Sequence, residues 1–472
     1  MASGRTASTT QPAAKHQPRV NTFVKVYSDR ASLEALRVRH QYRTLWTYGI
    51  NAMLACWLIT CPFLMDYKSF ALQTSDTICG AAILLFEFLA FSPKRHWFRL
   101  GTLSAAFWLM LAPLMFWSPT PAVYLQDTLV GTLIITFALL IPGLPGQAGI
   151  EMDGRDIPPG WSYNPSSWIR RWLGIALALA GFLISRYLAA HQLDYTNTVW
   201  DPFFGNGTER VLTSEISRSF PISDAGFGAV AYVMEVMAGC MGGRARWRTA
   251  PWTVAFFALL VLPLGITSII LVITQPMFVG AWCGLCLVAA AFLLTSVPLA
   301  VHEAVAVGQF LVLAQKQGKS VWEVFWHGGS IGVSADEGKD PDRLQYSLTQ
   351  RWIASVQGVN IPVTLAAQIA IGAWLMARPD LLPATQTAAN CDHLLGAFIV
   401  TTAALATAEV TRIARFANVL FGSATVFAGI FYAGGNPIVL ANAVLCGTLV
   451  TLLSIPRGPI SEDYGNWNRL VR

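Results

Sequence analysis

Long apolar runs separated by short polar breaks dominate this chain. Runs of roughly 17–22 residues, the length a bilayer core requires of a helix, fall at about 44–65, 76–92, 100–117, 123–142, 172–190, 225–241, 251–273, 281–300, 356–377, 391–410, 416–433 and 437–455. They predict an all-α polytopic membrane protein with about 12 transmembrane helices. The polar breaks divide it into residues 1–42, a disordered tail; 43–143, four spans; 144–167, a linker with Pro158-Pro159; 168–305, four more spans; 306–355, a connector carrying Asp336-Glu337-Gly338-Lys339-Asp340; and 356–472, four final spans and a tail.

Composition agrees. Of the 472 residues 54% are hydrophobic and 12% charged, against about 25% charge in a soluble domain. The net charge of +6 sits in short loops, the pattern of topology signals, which argues against a nucleic-acid surface. Arg37, Arg39 and Arg43, Lys94, Arg95 and Arg99, Arg170 and Arg171, Arg244, Arg246 and Arg248, and Arg412 and Arg415 all fall on one side of twelve spans. The positive-inside rule makes that side the cytoplasm and puts both termini there. The first 42 residues hold no short apolar core before a small-residue cleavage site and read as a cytoplasmic tail. The eight cysteines lie almost entirely in apolar runs, so no secreted-type disulfide framework is expected.

A repeat of about 51 residues runs through both flanks. Trp57 is followed by Pro62, Asp76 and Gly80; Trp108 by Pro113, Asp127 and Gly131; Trp374 by Pro379, Asp392 and Gly396; a worn fourth copy leaves Asn442 and Gly447. The pattern resembles the SPW-repeat family of bacterial membrane proteins, with Cys61, Ala112 and Arg378 at the Ser position. That family brings no assigned chemistry. Trp and Pro at a span's end suit an interfacial belt and a helix stop, and an Asp opening the next span suits a helix N-cap. Ion or proton handling is the competing reading of these carboxylates. Glu87, deeper in its span, is expected to pair with a basic residue.

Candidate chemistry concentrates at Cys283-Gly284-Leu285-Cys286. Three residues apart on a helix, both sulfurs lie on one face. At a helix start they gain positive potential from unsatisfied N–H groups, which favours the reactive thiolate. Gly280 and Gly284 leave room for a flat ring, and Trp282 offers a stacking surface. The bland reading is small residues at a helix contact. A zinc site is not expected, because His191 is the only further His or Cys on that side of the central spans.

Ahead of this pair comes a long loop, His191–Asp224, with Trp200, Asp201, Thr208, Val211, Ser214 and Pro221, then a Gly-rich helix entry at Gly226-Phe227-Gly228. Loop, Val-x-x-Ser, glycines, two spans and Cys-x-x-Cys in that order resemble the vitamin K epoxide reductase family over about 140 residues. The resemblance implies a central four-helix bundle holding a quinone, ubiquinone or menaquinone. Cys283 and Cys286 become the catalytic pair, with Cys286 nearer the quinone and Ser214 as the loop serine. Trp282, Gly284 and Phe227 are the expected cofactor-binding residues. The implied activity is a membrane thiol–disulfide oxidoreductase in a bacterial inner membrane, with the cysteines near the periplasmic face and a thioredoxin-like protein or small thiol as donor. The family's two relay cysteines are replaced by Trp200 and Thr208. No cysteine occurs between Cys79 and Cys240, and Cys240 belongs near the cytoplasmic end. A non-enzymatic quinone- or lipid-binding protein is the alternative, and a transporter built on the repeated hairpins a third.

Overall fold

The computed structural model describes residues 23–24, 38, 41–140, 155–219, 221–331 and 347–472. The protein is an all-α membrane protein with a helix in every predicted segment. These are α1 (Leu45–Leu64), α2 (Phe70–Ala90), α3 (Arg99–Met115), α4 (Pro121–Leu140), α5 (Trp168–Gln192), α6 (Asp224–Cys240), α7 (Pro251–Thr274), α8 (Gly284–Lys316), α9 (Val363–Leu381), α10 (Gln386–Leu405), α11 (Ala417–Tyr432) and α12 (Pro437–Leu453). Among the described residues, nine helices are long and apolar enough to cross a membrane. The remaining three are α6 and α12, of 17 residues each, and α9, which carries Gln368, Arg378 and Asp380. Most of the predicted 1–42 tail and the acidic run 336–340 lie outside the described residues.

The helices form three sets of four, α1–α4, α5–α8 and α9–α12. Within the flanking sets, the repeat glycine marks where hairpin helices cross. A Cβ on Gly131 would lie 2.8 Å from the Ala106 carbonyl, and one on Gly396 2.6 Å from that of Gly372. Only glycine lets the backbones meet so closely, which is how helices gain contact where water supplies no driving force.

Two sequence expectations are corrected here. The repeat aspartates are not N-caps. Ser69 caps α2 through its hydroxyl, which accepts from the Leu72 N–H at 3.4 Å, and Thr385 caps α10, accepting from Ala388 at 3.3 Å. Asp76 and Asp392 therefore lie inside their helices, buried. In α2 the polar stretch Gln73, Thr74 and Ser75 follows the first turn and interrupts the apolar run, so counting apolar residues starts the helix too late. The second correction concerns the eighth segment, expected to end near residue 300. α8 runs 33 residues to Lys316, because Ala306, Phe310 and Ala314 continue its buried stripe into an aromatic core with Trp161, Tyr163, Trp247 and Tyr464. Half of the expected linker belongs to that core: Trp161 pairs with Tyr464 of the C-terminal segment through a backbone bridge.

The arginines flanking the central set gather at the end opposite the cysteines, where several are buried. Arg171 donates to the Gly239, Met241, Gly242 and Gly243 carbonyls, and Arg246 to those of Ala238 and Met241. Both cap the C-terminus of α6, where unsatisfied carbonyls attract cations. Arg246 also grips Glu303 of α8 through two bonds of 2.6 Å. Removing one partner of such a buried pair costs about 3–5 kcal/mol. Glu87 accepts from Asn51 at 3.2 Å, and the Arg99 charge lies close enough to act on its carboxylate.

Candidate active site

The geometry at the opposite end begins where α7 stops. Its last turn widens over Gln275–Val279, and Gly280 then adopts φ +64°, a left-handed conformation that suits glycine. The chain reverses and enters α8 with Cys283 as N-cap. Cys283 and Cys286 are joined by a disulfide. The Cys283 sulfur accepts from the Cys286 N–H at 3.1 Å, and the Cys283 N–H donates to the buried Gln275 Oε1 at 2.9 Å. Both sulfurs therefore sit in the first turn of a 33-residue helix, the position the sequence assigned them.

A cover lies over this turn. Asp201 Oδ1 accepts from the Phe203 and Phe204 N–H groups, each at 2.9 Å. Its Oδ2 accepts from the Thr208 N–H at 2.9 Å, the Thr208 hydroxyl at 2.7 Å and the Gly284 N–H at 3.4 Å. Partial burial pushes the Asp201 carboxyl up, but these donors outweigh it and bring it down to about 2. Gly207 presses against the chain at Trp282, where a Cβ would meet the Trp282 carbonyl at 2.1 Å. The cover buries Cys283 completely. Thr208, at a position where the resembling family has a relay cysteine, is buried and locked to Asp201, whereas Trp200, at the other, is exposed.

Beside the disulfide opens an apolar cavity of about 410 Å³ between α5, α6, α7 and α8. Its wall includes Cys286, Ser214 and Phe227, together with Tyr232, Leu271 and Leu293. The Ser214 hydroxyl donates to the Val211 carbonyl at 2.7 Å and accepts from the Ser217 N–H at 3.3 Å. One rim is polar: Gln192 donates to Ser217 at 2.7 Å, Ser217 donates to Asp224 at 3.1 Å, and Ser223 donates to Gln192 Oε1 at 2.6 Å. The volume falls within the usual range for small-molecule sites, roughly 300–1,000 Å³.

Of the six predicted site residues, Cys286, Ser214 and Phe227 share this wall, and Cys283 lies behind it. The other two point elsewhere. Trp282 donates its indole N–H to Asp380 of α9 at 2.6 Å and meets the His393 ring edge-on at 5.5 Å. At Gly284 a Cβ would strike Asp201 Oδ1 at 2.7 Å, so the missing side chain admits the cover. Cys240 lies at the arginine end, at the foot of a groove between α4 and α6. Three residues escaped the sequence reading. Gln275 and Gln192 carry no signal beyond lying at span ends. Glu235 did carry one, as a lone carboxylate within an apolar run. It is buried, one turn from Tyr232, and neither of its oxygens has a hydrogen-bond partner among the described residues.

Comparison with known proteins sets this geometry in context. Residues 172–301 match the model of the vitamin K epoxide reductase family, and residues 45–141 match that of the SPW repeat domain. No curated protein and no solved structure matches the chain.

Proposed function

We propose that this protein is a membrane thiol–disulfide oxidoreductase that passes electrons from an external thiol donor, through Cys283 and Cys286, to a quinone in the α5–α8 cavity. The observation that carries this reading is that Cys286, Ser214 and Phe227 line one apolar cavity at the start of a helix. An apolar wall with one polar rim fits a flat ring bearing two carbonyl oxygens. When bound, the quinone accepts two electrons and two protons. The Cys283–Cys286 dithiol gives up the same number as its S–S bond forms, so the exchange balances. Cys286 faces the ring. Cys283 then receives the donor thiolate, and the Cys286 sulfur leaves as thiolate and takes up a proton. A second donor thiol attacks the donor sulfur of this mixed disulfide, so Cys283 leaves as a thiol and the donor departs as a disulfide. The donor cannot approach while the Asp201 cover is down, so the cover must lift for each turnover. In this reading all twelve helices cross a bacterial inner membrane, the arginine end faces the cytoplasm and the disulfide end the periplasm. The donor is a thioredoxin-like protein or a small thiol, and the quinone is ubiquinone or menaquinone.

Thiol counting tests it. Reduced protein mixed with a soluble quinone should lose two thiols, and Cys286→Ser should lose none. The missing relay cysteines and the locked Thr208 favour a second reading, a quinone binder without turnover. Quinone binding that leaves the wild-type thiol count unchanged would establish it.

A further inference from the structure

The first helix set buries a polar cluster that the redox chemistry does not use. Asp76 of α2 and Asp127 of α4, mates in the internal repeat, bring their carboxyl groups within hydrogen-bonding reach of each other. Both residues are 0% exposed. Tyr67, on the turn between α1 and α2, donates its hydroxyl to Asp76 Oδ2 at 2.5 Å and accepts from Gln126 Nε2 at 3.0 Å. Among the described residues, that leaves Asp76 Oδ1, both Asp127 oxygens and Gln126 Oε1 buried with no hydrogen-bond partner. All four atoms are acceptors. Two carboxylates so close cannot both stay ionised in a dry site unless positive charge lies among them.

The third helix set supplies an independent observation. There the repeat places Arg378 where the first set has Cys61 and Ala112. The Arg378 guanidinium, fully buried, pairs with Asp392, the repeat mate of Asp76 and Asp127. The fourth copy has no carboxylate there: Ala443 stands four residues before its glycine, Gly447. One copy of the fold thus holds a tethered cation against this carboxylate, and the other offers bare oxygens.

We propose that Asp76, Asp127, Gln126 and Tyr67 form a binding site for a hard metal cation, of the oxygen-coordinated class to which sodium and calcium belong. Carboxylate, amide and phenol oxygens suit such ions rather than transition metals, and the Cys61 thiol, which borders the cluster against Gln126, is a softer group than such an ion prefers. The inference stands apart from the quinone reading.

The test uses the full chain in detergent, with thermal unfolding followed in sodium, calcium or choline chloride at matched ionic strength. A bound ion should raise Tm by a few degrees over choline, and the ion that does so identifies the source. Asp127→Asn should remove that rise while unfolding in choline no earlier than wild type, since the amide keeps the carboxyl's size and carries no buried charge that needs a partner. Equilibrium binding of radioactive sodium or calcium to the wild type gives a second readout, with one ion per chain expected. No cation-specific rise and no ion bound at millimolar concentration would overturn the proposal and leave a shared proton as the only charge. Ion uptake that persists in Asp127→Asn, or in Asp76→Asn should the first variant not fold, would overturn it equally.

Discussion

The two flanking helix sets share a repeat, yet they handle the same buried aspartate in opposite ways. In α1–α4 the repeat Asp faces a second Asp, and among the described residues no basic side chain pairs with either. In α9–α12 it faces Arg378, and the fourth copy carries the neutral Ala443 at that position. Elsewhere the scaffolds correspond: Trp108 donates to Ser75 in the first set at 3.1 Å, and Trp374 to Asn442 in the third at 2.8 Å. The difference shows that hairpin packing does not depend on the sign of the charge held at its centre, provided that charge is balanced. It also separates their relations to the disulfide end. The third set touches it through Asp380 and Trp282. The first approaches through Trp117, which donates to Pro221 at 3.3 Å on the loop before α6.

The comparison can be broken most severely at Arg378. Arg378→Met should leave Asp392 buried without its partner and cost about 3–5 kcal/mol, read as lost Tm. If it unfolds like wild type, Asp392 has another partner and the contrast is void. The next effect asks whether the cover over Cys283 is held by its own loop. Asp201→Ala removes several charge-assisted hydrogen bonds, so reduction of the disulfide by an added phosphine should speed up roughly 10–100-fold.

A smaller, pH-dependent effect follows from the same carboxyl. Its folded value of about 2 lies below the usual unfolded value near 3.9, so the clamp contributes fully above about pH 4 and is lost as pH falls through about 2. Phosphine reduction of wild type should approach the Asp201→Ala rate as pH drops from 5 to 2.5, while the variant lacks this acid-induced gain. The smallest effect tests the third set's hold. Asp380→Asn weakens one exposed hydrogen bond to Trp282, worth about 0.5–1 kcal/mol, and should change the reduction rate by less than tenfold. A larger effect from Asp380 than from Asp201 would invert the assignment and make the third set the cover's main support.

Much of the fold was legible because membrane spans announce themselves by length and apolarity. Each predicted run holds a helix, most with both ends within a few residues. The order of loop, serine, glycines and cysteines likewise located Cys286, Ser214 and Phe227 on one wall. What escaped depends on neighbours distant in sequence. Trp282 looked like a stacking surface for a ring until Asp380 arrived from the end of α9 and His393 from α10. Asp76 looked like a helix cap because its spacing fitted the start of an apolar run, and only the packing of α2 shows it interior. Arginines read as topology signals also turn out to cap α6, a role no linear pattern reveals.

The bridge between Trp161 and Tyr464 bears on how this molecule can be taken apart. Truncation after residue 331, intended to isolate the cysteine-bearing half, would strip Tyr464, Val410 and Val471 from Trp161, Tyr163 and Phe310. The fragment would carry a bared aromatic face at one end of α8, the helix that opens with Cys283, and aggregation would mask whatever activity it retained. Dissection by point substitution in the intact chain avoids that artefact.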